Sequence, residues 1–559
     1  MSEKVIKLMK DVPAIRWTAL VFLAFAMFCA YIFMDILSPV KDILESTRGW
    51  SSTAFGTYAG SETFLNVFIF FLIIAGIILD KMGVRFTAIL SGIVMIFGAA
   101  INWYSVTEMF SGTGLETWFT NHLNYIPGFD ELGVSPFYRG MPASAKLASV
   151  GFMIFGCGVE MAGITVSRGI VKWFKGKELA LAMGSEMALA RLGVATCMIF
   201  SPLIAKANIM GKADVSHSAA FGVILLMVAL IMFIAYFFMD RKLDAQTGEA
   251  EEKDDPFQIK DVGKIFASSG FWLVALLCVL YYSAIFPFQK YAVNMLQCNL
   301  TFPETAPEVI SLLGTELSAN TVGIISYVLM LVVAATSFIS NFQKKNLKIG
   351  LLTLAVLFLV IYCFVATKRG SAEAIFAVFP LLAVGITPIL GNYIDKKGKA
   401  ATMLMLGSIL LILCHLTFAF VLPLFKGQET GGVILSFATI LVLGASFSLV
   451  PASLWPSVPK LVDNKVIGSA YALIFWIQNI GLWLFPLLIG KILDNSNPEI
   501  LAQVKQGIIT SKEASVMYNY TNPLIMLACL GVAALVLGFV LKIVDKKKGL
   551  GLELPNIKN

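Results

Sequence analysis

Apolar runs of about 20 residues recur from one end of this chain to the other, and short polar segments separate them. A helix of that length crosses the ~30 Å hydrocarbon layer of a membrane, and it pairs its own backbone groups there. The pattern therefore predicts fourteen transmembrane helices. Their extents are about 16–39, 52–79, 86–105, a pair joined by the turn 173–178, 219–239, 268–295, 320–342, 349–367, 372–394, 399–425, 433–460, 466–493 and 522–544.

Composition supports a membrane protein. Of the 559 residues, 58% are hydrophobic and 14% are charged, whereas about a quarter of a soluble domain is charged. The Lys and Arg residues behind the net charge of +7 lie in short loops beside apolar runs, an arrangement that orients membrane helices and does not indicate nucleic-acid binding. The eight cysteines are isolated and the three histidines lack metal-ligand spacing, so we expect no disulfide framework, metal or other cofactor.

A charged segment divides the chain into two halves. We predict an N-terminal six-helix half at 1–239, a solvated linker at 240–266 and a C-terminal half at 267–559. The C-terminal half contains eight apolar runs, two more than a six-helix half requires. These runs lie within 320–367, on either side of the basic segment 343–348, and we predict that they form an inserted hairpin.

The turn after the predicted second helix recurs in the second half of the chain. It reads GIILDKMGVR from Gly76 to Arg85 and GNYIDKKGK from Gly391 to Lys399. Two copies, each closing one apolar run and opening another, indicate an internal parallel repeat. They resemble the G-x-x-x-D-[RK]-x-G-x-[RK] turn of the major facilitator superfamily, an all-α membrane fold of two pseudo-symmetric six-helix halves. The resemblance implies a conformational latch, with gating roles for Asp80, Lys81, Gly83, Arg85, Asp395 and Lys396.

Four charges lie within one predicted helical hairpin, at Glu160, Arg168, Glu186 and Arg191. Each would cost roughly 2.5–3.5 kcal/mol near the bilayer centre, so they need a function. At 1.5 Å per residue, Glu160 and Arg191 both lie about 20 Å from the turn, at mid-membrane, and the other two lie about 8–12 Å from it. We interpret Glu160 and Arg191 as substrate contacts, and Arg168 with Glu186 as a structural or gating pair. A single packing network of all four is the alternative.

Other polar and aromatic side chains inside apolar runs are further candidates for substrate contact: Glu62, Tyr282, Phe286, Trp476, Gln478 and Asn479. Each could instead belong to an interhelical seam, in which polar side chains hold helices together. Lys290 shares a helix face with Tyr282 and Phe286, so it is a candidate gate or contact. The favoured interpretation of Lys290 is that it snorkels to the outer interface.

Three stretches narrow the resemblance. They resemble the branch of the superfamily that includes the lysosomal dipeptide uniporter and its bacterial relatives. The three stretches read GCGVE…VKWFKGKELALAMG…ALARLG, FWLVALLCVLYYSAIFPFQKYA and LWPSVPKLV…GSAYALIFWIQNIGL. That branch implies a transporter, not an enzyme, which binds a zwitterion through an acid and a planar arginine and rocks its halves around a central site. The extra hairpin and the long loop 106–146 depart from the twelve-helix pattern.

The energy source and the location are predicted from absent motifs. Without a G-x-x-x-x-G-K-[ST] loop, ATP-driven transport is not expected, and the E-x-x-E-R signature of proton-coupled peptide transporters is missing from the first helix, which favours a facilitator. The alternatives are a proton-coupled antiporter for drugs or metabolites and a non-transporting receptor or assembly protein. Residues 1–15 lack an acidic dileucine signal, which favours a bacterial cytoplasmic membrane, with both termini cytoplasmic, over a lysosomal membrane.

Overall fold

The apolar runs form helices because a helix pairs every backbone group within one hydrophobic segment. A computed structural model describes residues 8–125, 136–174, 178–206, 214–247, 263, 265–302, 309–341, 343–426, 428–462 and 467–555. Within these residues the protein is helical apart from one short β-hairpin. The all-α membrane fold predicted from the sequence is therefore confirmed.

The first half contributes eight helices to the described residues. They are α1 (Pro13–Met34), α2 (Lys41–Arg48), α3 (Ser52–Phe68), α4 (Phe71–Val106), α5 (Gly114–Asn121), α6 (Ala143–Phe174), α7 (Leu179–Lys206) and α8 (Val215–Thr247).

The second half begins with α9 and contains the β-hairpin, whose strands pair antiparallel. Its elements are α9 (Ser269–Asn299), β1 (Val309–Leu312), β2 (Thr315–Ser318), α10 (Ala319–Ser340), α11 (Lys345–Arg369), α12 (Ala372–Phe376), α13 (Val378–Lys397), α14 (Ala400–Leu416), α15 (Glu429–Leu454), α16 (Ile467–Ser496), α17 (Pro498–Lys505), α18 (Ser511–Ala514) and α19 (Thr521–Lys548).

Thirteen helices of the described part are long and apolar enough to cross a membrane. One of them is α4, although Gly83, with φ 77° and ψ 168°, divides it into residues 71–82 and 84–106. Helix α3 has only 17 residues, and together with residues 71–82 it makes up the predicted second helix. Dividing α4 at Gly83 gives the fourteen segments expected from the sequence.

The helix ends meet at two opposite faces of the bundle. We call the end where α1 begins and α19 ends the terminal face. There Arg16 forms an ion pair with Glu178, with a 2.7 Å N–O distance, and Lys548 donates to Ser269 at 2.7 Å. We call the opposite end, where α3 begins and α16 ends, the distal face.

Helix α8 extends past the predicted half boundary at residue 239 and ends at Thr247. Ion pairs explain the extra turns, because Lys172 on α6 lies 2.7 Å from Asp240 and 2.8 Å from Asp244. Charged residues at a helix end thus continue the helix beyond its apolar part. Much of the predicted linker, residues 248–262 and 264, lies outside the described residues.

The predicted inserted hairpin corresponds to α10 and α11, which pack against each other. The outward face of α11 is apolar and exposed. Helix α10 contacts both halves: the ring of Tyr327 lies 4.6 Å from that of Phe200 on α7, and Ser337 packs against Gly385 on α13, where a Cβ would come within 2.7 Å of it. The hairpin therefore spans the seam between α7 and α13.

Candidate functional site

Arg191, at the middle of α7, lies against three aromatic rings. Its guanidinium carbon is 4.9 Å from the ring centre of Phe286 on α9, 5.1 Å from Phe447 on α15 and 5.6 Å from Tyr31 on α1. Such rings attract a cation through their faces but do not neutralise it. In the part of the chain that the structure describes, no carboxylate oxygen lies within 4.0 Å of its nitrogen atoms.

Glu160, on α6, contacts the opposite half. The amide of Asn479 on α16 donates to its Oε1 at 3.3 Å. One turn earlier, a Cβ on Gly156 would overlap the backbone oxygen of Glu62 on α3. Only glycine permits this approach of the two backbones, and the Glu160 carboxylate acts electrostatically on that of Glu62.

The phenol of Tyr31 marks the centre of the site. It is within electrostatic reach of Arg191, Glu186, Glu160 and Glu62. Each of these four side chains keeps some accessible surface. Three of them, Arg191, Glu160 and Glu62, contact the second half directly. We call the group of these four side chains at the boundary between the halves the central site.

A second charged group adjoins the central site. The Nζ atom of Lys290 on α9 lies 2.9 Å from Asp35 and 3.9 Å from Glu62, and it donates to the backbone oxygen of Met34 at 2.6 Å. Gln289 also donates to Asp35, at 2.7 Å. The prediction that Lys290 snorkels to the interface was wrong, because buried carboxylates of the other half hold its ammonium between the halves.

Aromatic side chains of the second half form the wall beside Arg191. The rings of Tyr282 and Phe286 are 5.3 Å apart, and those of Phe286 and Phe447 are 5.7 Å apart. The indole of Trp455 donates to the Tyr282 hydroxyl at 3.1 Å. Trp455 begins a 3-10 turn at the end of α15, within the proline-rich segment of the sequence.

Polar contacts between the halves close the distal face. Lys41 on α2 donates to Asn294 on α9 at 3.1 Å, and Tyr518 donates to Glu45. Further contacts of this kind join Lys206 to Glu373, Thr53 to Asp494 and Tyr291 to Ser52. We call this set of contacts the distal seal.

The first latch turn lies at the terminal face. Asp80 forms an ion pair with Arg168 on α6, and Arg85 lies 2.8 Å from Asp244 on α8. Lys81 is exposed. The turn therefore ties three helices of the first half together.

The second latch turn repeats the backbone geometry of the first. Gly83 has a φ of 77° and Gly398 a φ of 72°, a region that favours glycine. Asp395 is half-buried and Lys396 is exposed. The tail of the chain covers this turn, since the backbone oxygen of Glu553 accepts from the amide that follows Gly398, at 3.1 Å.

The sequence profile of the Major Facilitator Superfamily matches residues 23–372, more than half of the chain. The chain belongs to the Major Facilitator Superfamily. The protein is thus a membrane transporter by family. The two latch turns, of which the first lies within the matched residues, and the division into two halves agree with this membership.

A similar protein is the lysosomal dipeptide transporter MFSD1 of Bos taurus. It is 25% identical over 362 residues, which cover 62% of this chain and 59% of that protein. The match therefore spans less than two thirds of the relative's length.

Two superfamily structures resemble the fold over nearly all of the chain. The nucleoside transporter NupG gives a TM-score of 0.58 at 11% identity and covers 94% of this chain and 98% of its own. A bacterial homolog of the lysosomal transporter Spinster, inward-facing and occupied, gives 0.55 at 11% identity, with coverage of 95% and 98%. At these identities the likeness concerns the fold.

The structure brings several predicted residues together and separates others. Asn479 contacts Glu160, and Arg191 lies against rings of the second half; that these residues bind substrate stays a prediction. Arg168 was predicted to pair with Glu186, and this was wrong. Arg168 reaches the terminal face and pairs with the latch turn, whereas Glu186 lies on the side of α7 that is near Arg191.

Two predicted contacts hold helices together in this structure. Trp476 donates to the backbone oxygen of Val67 at 3.0 Å. Gln478 accepts from the thiol of Cys278 at 3.3 Å. Adjacent residues on a helix point about 100° apart, so Gln478 and its neighbour Asn479 face different helices.

Sequence reasoning missed Tyr31 and Phe447 as walls of the site. A signal existed for Tyr31, which lies one turn before Asp35 and shares its helix face. The sequence held no such signal for Phe447, because phenylalanine is common throughout the apolar runs.

Proposed function

We propose that this superfamily member moves dipeptides across a membrane by alternating access, without ATP. A dipeptide carries an ammonium at one end and a carboxylate at the other. The central site presents carboxylates at Glu160 and Glu62 and a guanidinium at Arg191, at the boundary between the halves. The name of the bovine relative supports the same substrate class.

The surroundings of Arg191 carry the proposal. Glu186 acts on this partly exposed guanidinium electrostatically, but no carboxylate oxygen of the described residues lies within 4.0 Å of it, so its charge is only weakly balanced. Three rings hold this guanidinium in place, and its planar fork is suited to two parallel bonds with a carboxylate. An incoming C-terminal carboxylate would supply the missing acceptor.

Glu160 would bind the ammonium of the peptide. Its one described donor, the amide of Asn479, lies at 3.3 Å, which is long for a hydrogen bond to a charged acceptor. A substrate ammonium would add charge-assisted bonds there. The aromatic wall of Tyr282 and Phe286 would accept varied side chains by apolar contact.

The closed distal face supports alternating access. The distal seal joins the two halves at one end of the bundle, whereas the latch turn at Asp80 ties only the first half. Rocking the halves would open the distal face and close the terminal face around the central site. We propose a bacterial cytoplasmic membrane, with the terminal face of the protein in the cytoplasm. The basic residues that concentrate in the loops of that face support this orientation.

A thermal-shift screen of the purified protein tests the proposal. The ligands are dipeptides, single amino acids, sugars and organic anions. We expect dipeptides to raise the apparent melting temperature, and we expect Glu160→Gln and Arg191→Ala to abolish the shift. Equal shifts in the wild type and in both variants, or a shift with sugars alone, would refute it.

A further inference from the structure

The second membrane segment is interrupted at a point where its sequence gives no reason for a break. Helix α3 ends at Phe68 and α4 begins at Phe71. Sharp breaks occur at proline, at glycine and serine, at π-bulges, or where another side chain enters the hydrogen-bond ladder. Residues 65–73 read LNVFIFFLI, and the apolar run predicts one helix over 52–79. The break must therefore be imposed by another helix.

The indole of Trp476 on α16 enters the backbone ladder at this point. Its Nε1 atom donates to the backbone oxygen of Val67 at 3.0 Å. In a continuous helix that oxygen accepts from the amide four residues later, at Phe71, so the indole takes the place of one helical bond. The ring of Trp476 also stacks on Phe70, with ring centres 5.3 Å apart. One side chain of the second half thus occupies the helical acceptor and covers the residue at the break.

Phe70 has a left-handed backbone conformation, with φ 55° and ψ 38°. Three other described residues that are not glycine have a positive φ, namely Leu123, Leu313 and Lys399, and they lie in connections at the two faces of the bundle. This conformation is unfavourable for any residue with a Cβ atom, and helical bonds lost in apolar surroundings add to the cost. The broken form is therefore strained and depends on the contacts of Trp476.

The break lies where the two halves part. On its distal side α3 packs directly on α16, where a Cβ on Gly60 would overlap the backbone oxygen of Trp483. On its terminal side α4 packs mainly on α6 and α8 of the first half. Ile77 is exposed there, and a Cβ on Gly76 would meet no atom within 4 Å. The chain therefore bends away from α16 at the break.

We propose that residues 69–70 form a two-state hinge that couples the shape of the second membrane segment to the rocking of the halves. With the distal face closed, as in this structure, Trp476 holds the segment broken. When the distal face opens, α3 separates from α16 and the indole leaves Val67. The amide of Phe71 then takes that acceptor, the strain at the break is released, and residues 71–82 straighten into one helix with α3.

This inference rests on the alternating access of the proposed function and is independent of its substrate. It gives Trp476, predicted from the sequence as a substrate contact, a part in controlling the halves. A purely structural contact would hold the same backbone in both states. The hinge requires instead that changes favouring one backbone form shift the equilibrium between the two arrangements of the halves.

The first test compares Phe70→Gly with Phe70→Ala. Both variants lose the ring, so they differ only in the Cβ atom. Glycine takes the left-handed conformation without strain and is a poor helix former, whereas alanine is the best one. The ratio of broken to continuous form should therefore be at least about tenfold higher with glycine.

The ratio is measured as the distance between spin labels at Met82 and Lys546, which are exposed at the terminal ends of the two halves. The background carries serine in place of Cys363 and Cys529, the two cysteines that are not buried. The broken form corresponds to the longer distance, because the terminal face is then open. Phe70→Gly should favour the longer distance and Phe70→Ala the shorter one.

The matched control is the same pair of substitutions at Ile74, an exposed position inside α4. Glycine weakens the helix equally in both forms there, so the two variants should give the same distance ratio. Trp476→Phe keeps a ring and removes the indole donor, and it should shift the protein toward the shorter distance. Trp272→Phe loses an indole bond to Phe266, away from the break, and should cause no shift.

Amide hydrogen exchange provides the second criterion. Residues 70–72 should have higher protection factors in Phe70→Ala than in Phe70→Gly, because a continuous helix bonds their amides. Equal distance ratios in these two variants would overturn the hinge, and so would a difference of the same size at position 74. A distance shift without a change in protection would overturn it too, since the halves would then rock while the segment stays broken. The thermal-shift screen decides dipeptide binding separately, so either proposal can fail while the other stands.

Discussion

Replacing Arg191 with methionine removes a guanidinium and keeps an apolar side chain between the rings of Tyr31, Phe286 and Phe447. If Arg191 binds the peptide carboxylate, its effect must depend on that carboxylate. The informative comparison is therefore between a dipeptide and its C-terminal amide, measured in both proteins. This forms a thermodynamic cycle in which one change is made in the ligand and the other in the protein.

The expected magnitude follows from the contacts that the substrate would gain. A hydrogen bond to a charged group contributes about 1.5–3 kcal/mol, and the fork of Arg191 can make two such bonds. The amide still offers one acceptor oxygen, so amidation should cost about 2–3 kcal/mol in the wild type, which is roughly 30- to 150-fold in Kd. In Arg191→Met the same amidation should change Kd less than about threefold, since no charge then faces the terminus.

Isothermal titration calorimetry of the protein in nanodiscs gives the four dissociation constants. Glu160 provides the internal control, because acetylating the peptide amine should weaken binding to Arg191→Met as much as it does to the wild type. That acetylation penalty should disappear in Glu160→Gln. An amidation penalty of the same size in Arg191→Met and in the wild type would refute the assignment of Arg191 to the carboxylate.

Three further predictions concern the fold around the site. In Gly60→Val the new side chain would overlap the backbone oxygen of Trp483, so α3 and α16 cannot close. The distal distance, measured between spin labels at Leu115 and Val516, which are exposed on distal segments of the two halves, should increase. Lys290→Met should lower the apparent melting temperature by several degrees, because it leaves the buried carboxylate of Asp35 without a cation, a loss of about 3–5 kcal/mol. Deleting residues 550–559 removes the backbone oxygens that accept from the first turn of α14, and amide hydrogen exchange in that turn should become faster.

Each of these variants has a matched control. Gly163→Val lies where a Cβ meets no atom within 4 Å, and it should leave the distal distance unchanged. Arg191→Met removes a cation that has no described carboxylate partner, and it should destabilise the protein much less than Lys290→Met does. Deletion of residues 556–559 alone should keep the exchange rates of the intact chain. A control that behaves like its test variant would contradict the corresponding prediction.

The fold could be predicted from the sequence because membrane helices are specified locally. The length of an apolar run decides whether it spans, and this is a property of consecutive residues. The latch turns were equally local: Asp80 and Asp395 precede glycines, Gly83 and Gly398, that both have a positive φ. The extra hairpin followed from counting runs.

The partners of individual charges were predicted less well. Depth along a helix could be counted, and it predicts Glu160 and Arg191 at the same level of the membrane. It could not show which way a side chain points around its helix, so Arg168 was given Glu186 in place of Asp80. Lys290 was misplaced for a second reason, because Asp35 is more than 250 residues away in sequence and only the packing of the two halves brings them together.

The position of the hairpin α10–α11 has a consequence for the route by which a solute can enter. In a bundle of two rocking halves, a gap between α7 and α13 would open sideways to the acyl chains, and lipid-soluble molecules could partition through it. Tyr327 and Ser337 of α10 lie across that gap, against Phe200 and Gly385. The hairpin therefore covers the side of the bundle where α7 meets α13 and would hinder lipid-soluble molecules from entering there, whereas the side where α3 meets α16 has no such cover from this hairpin.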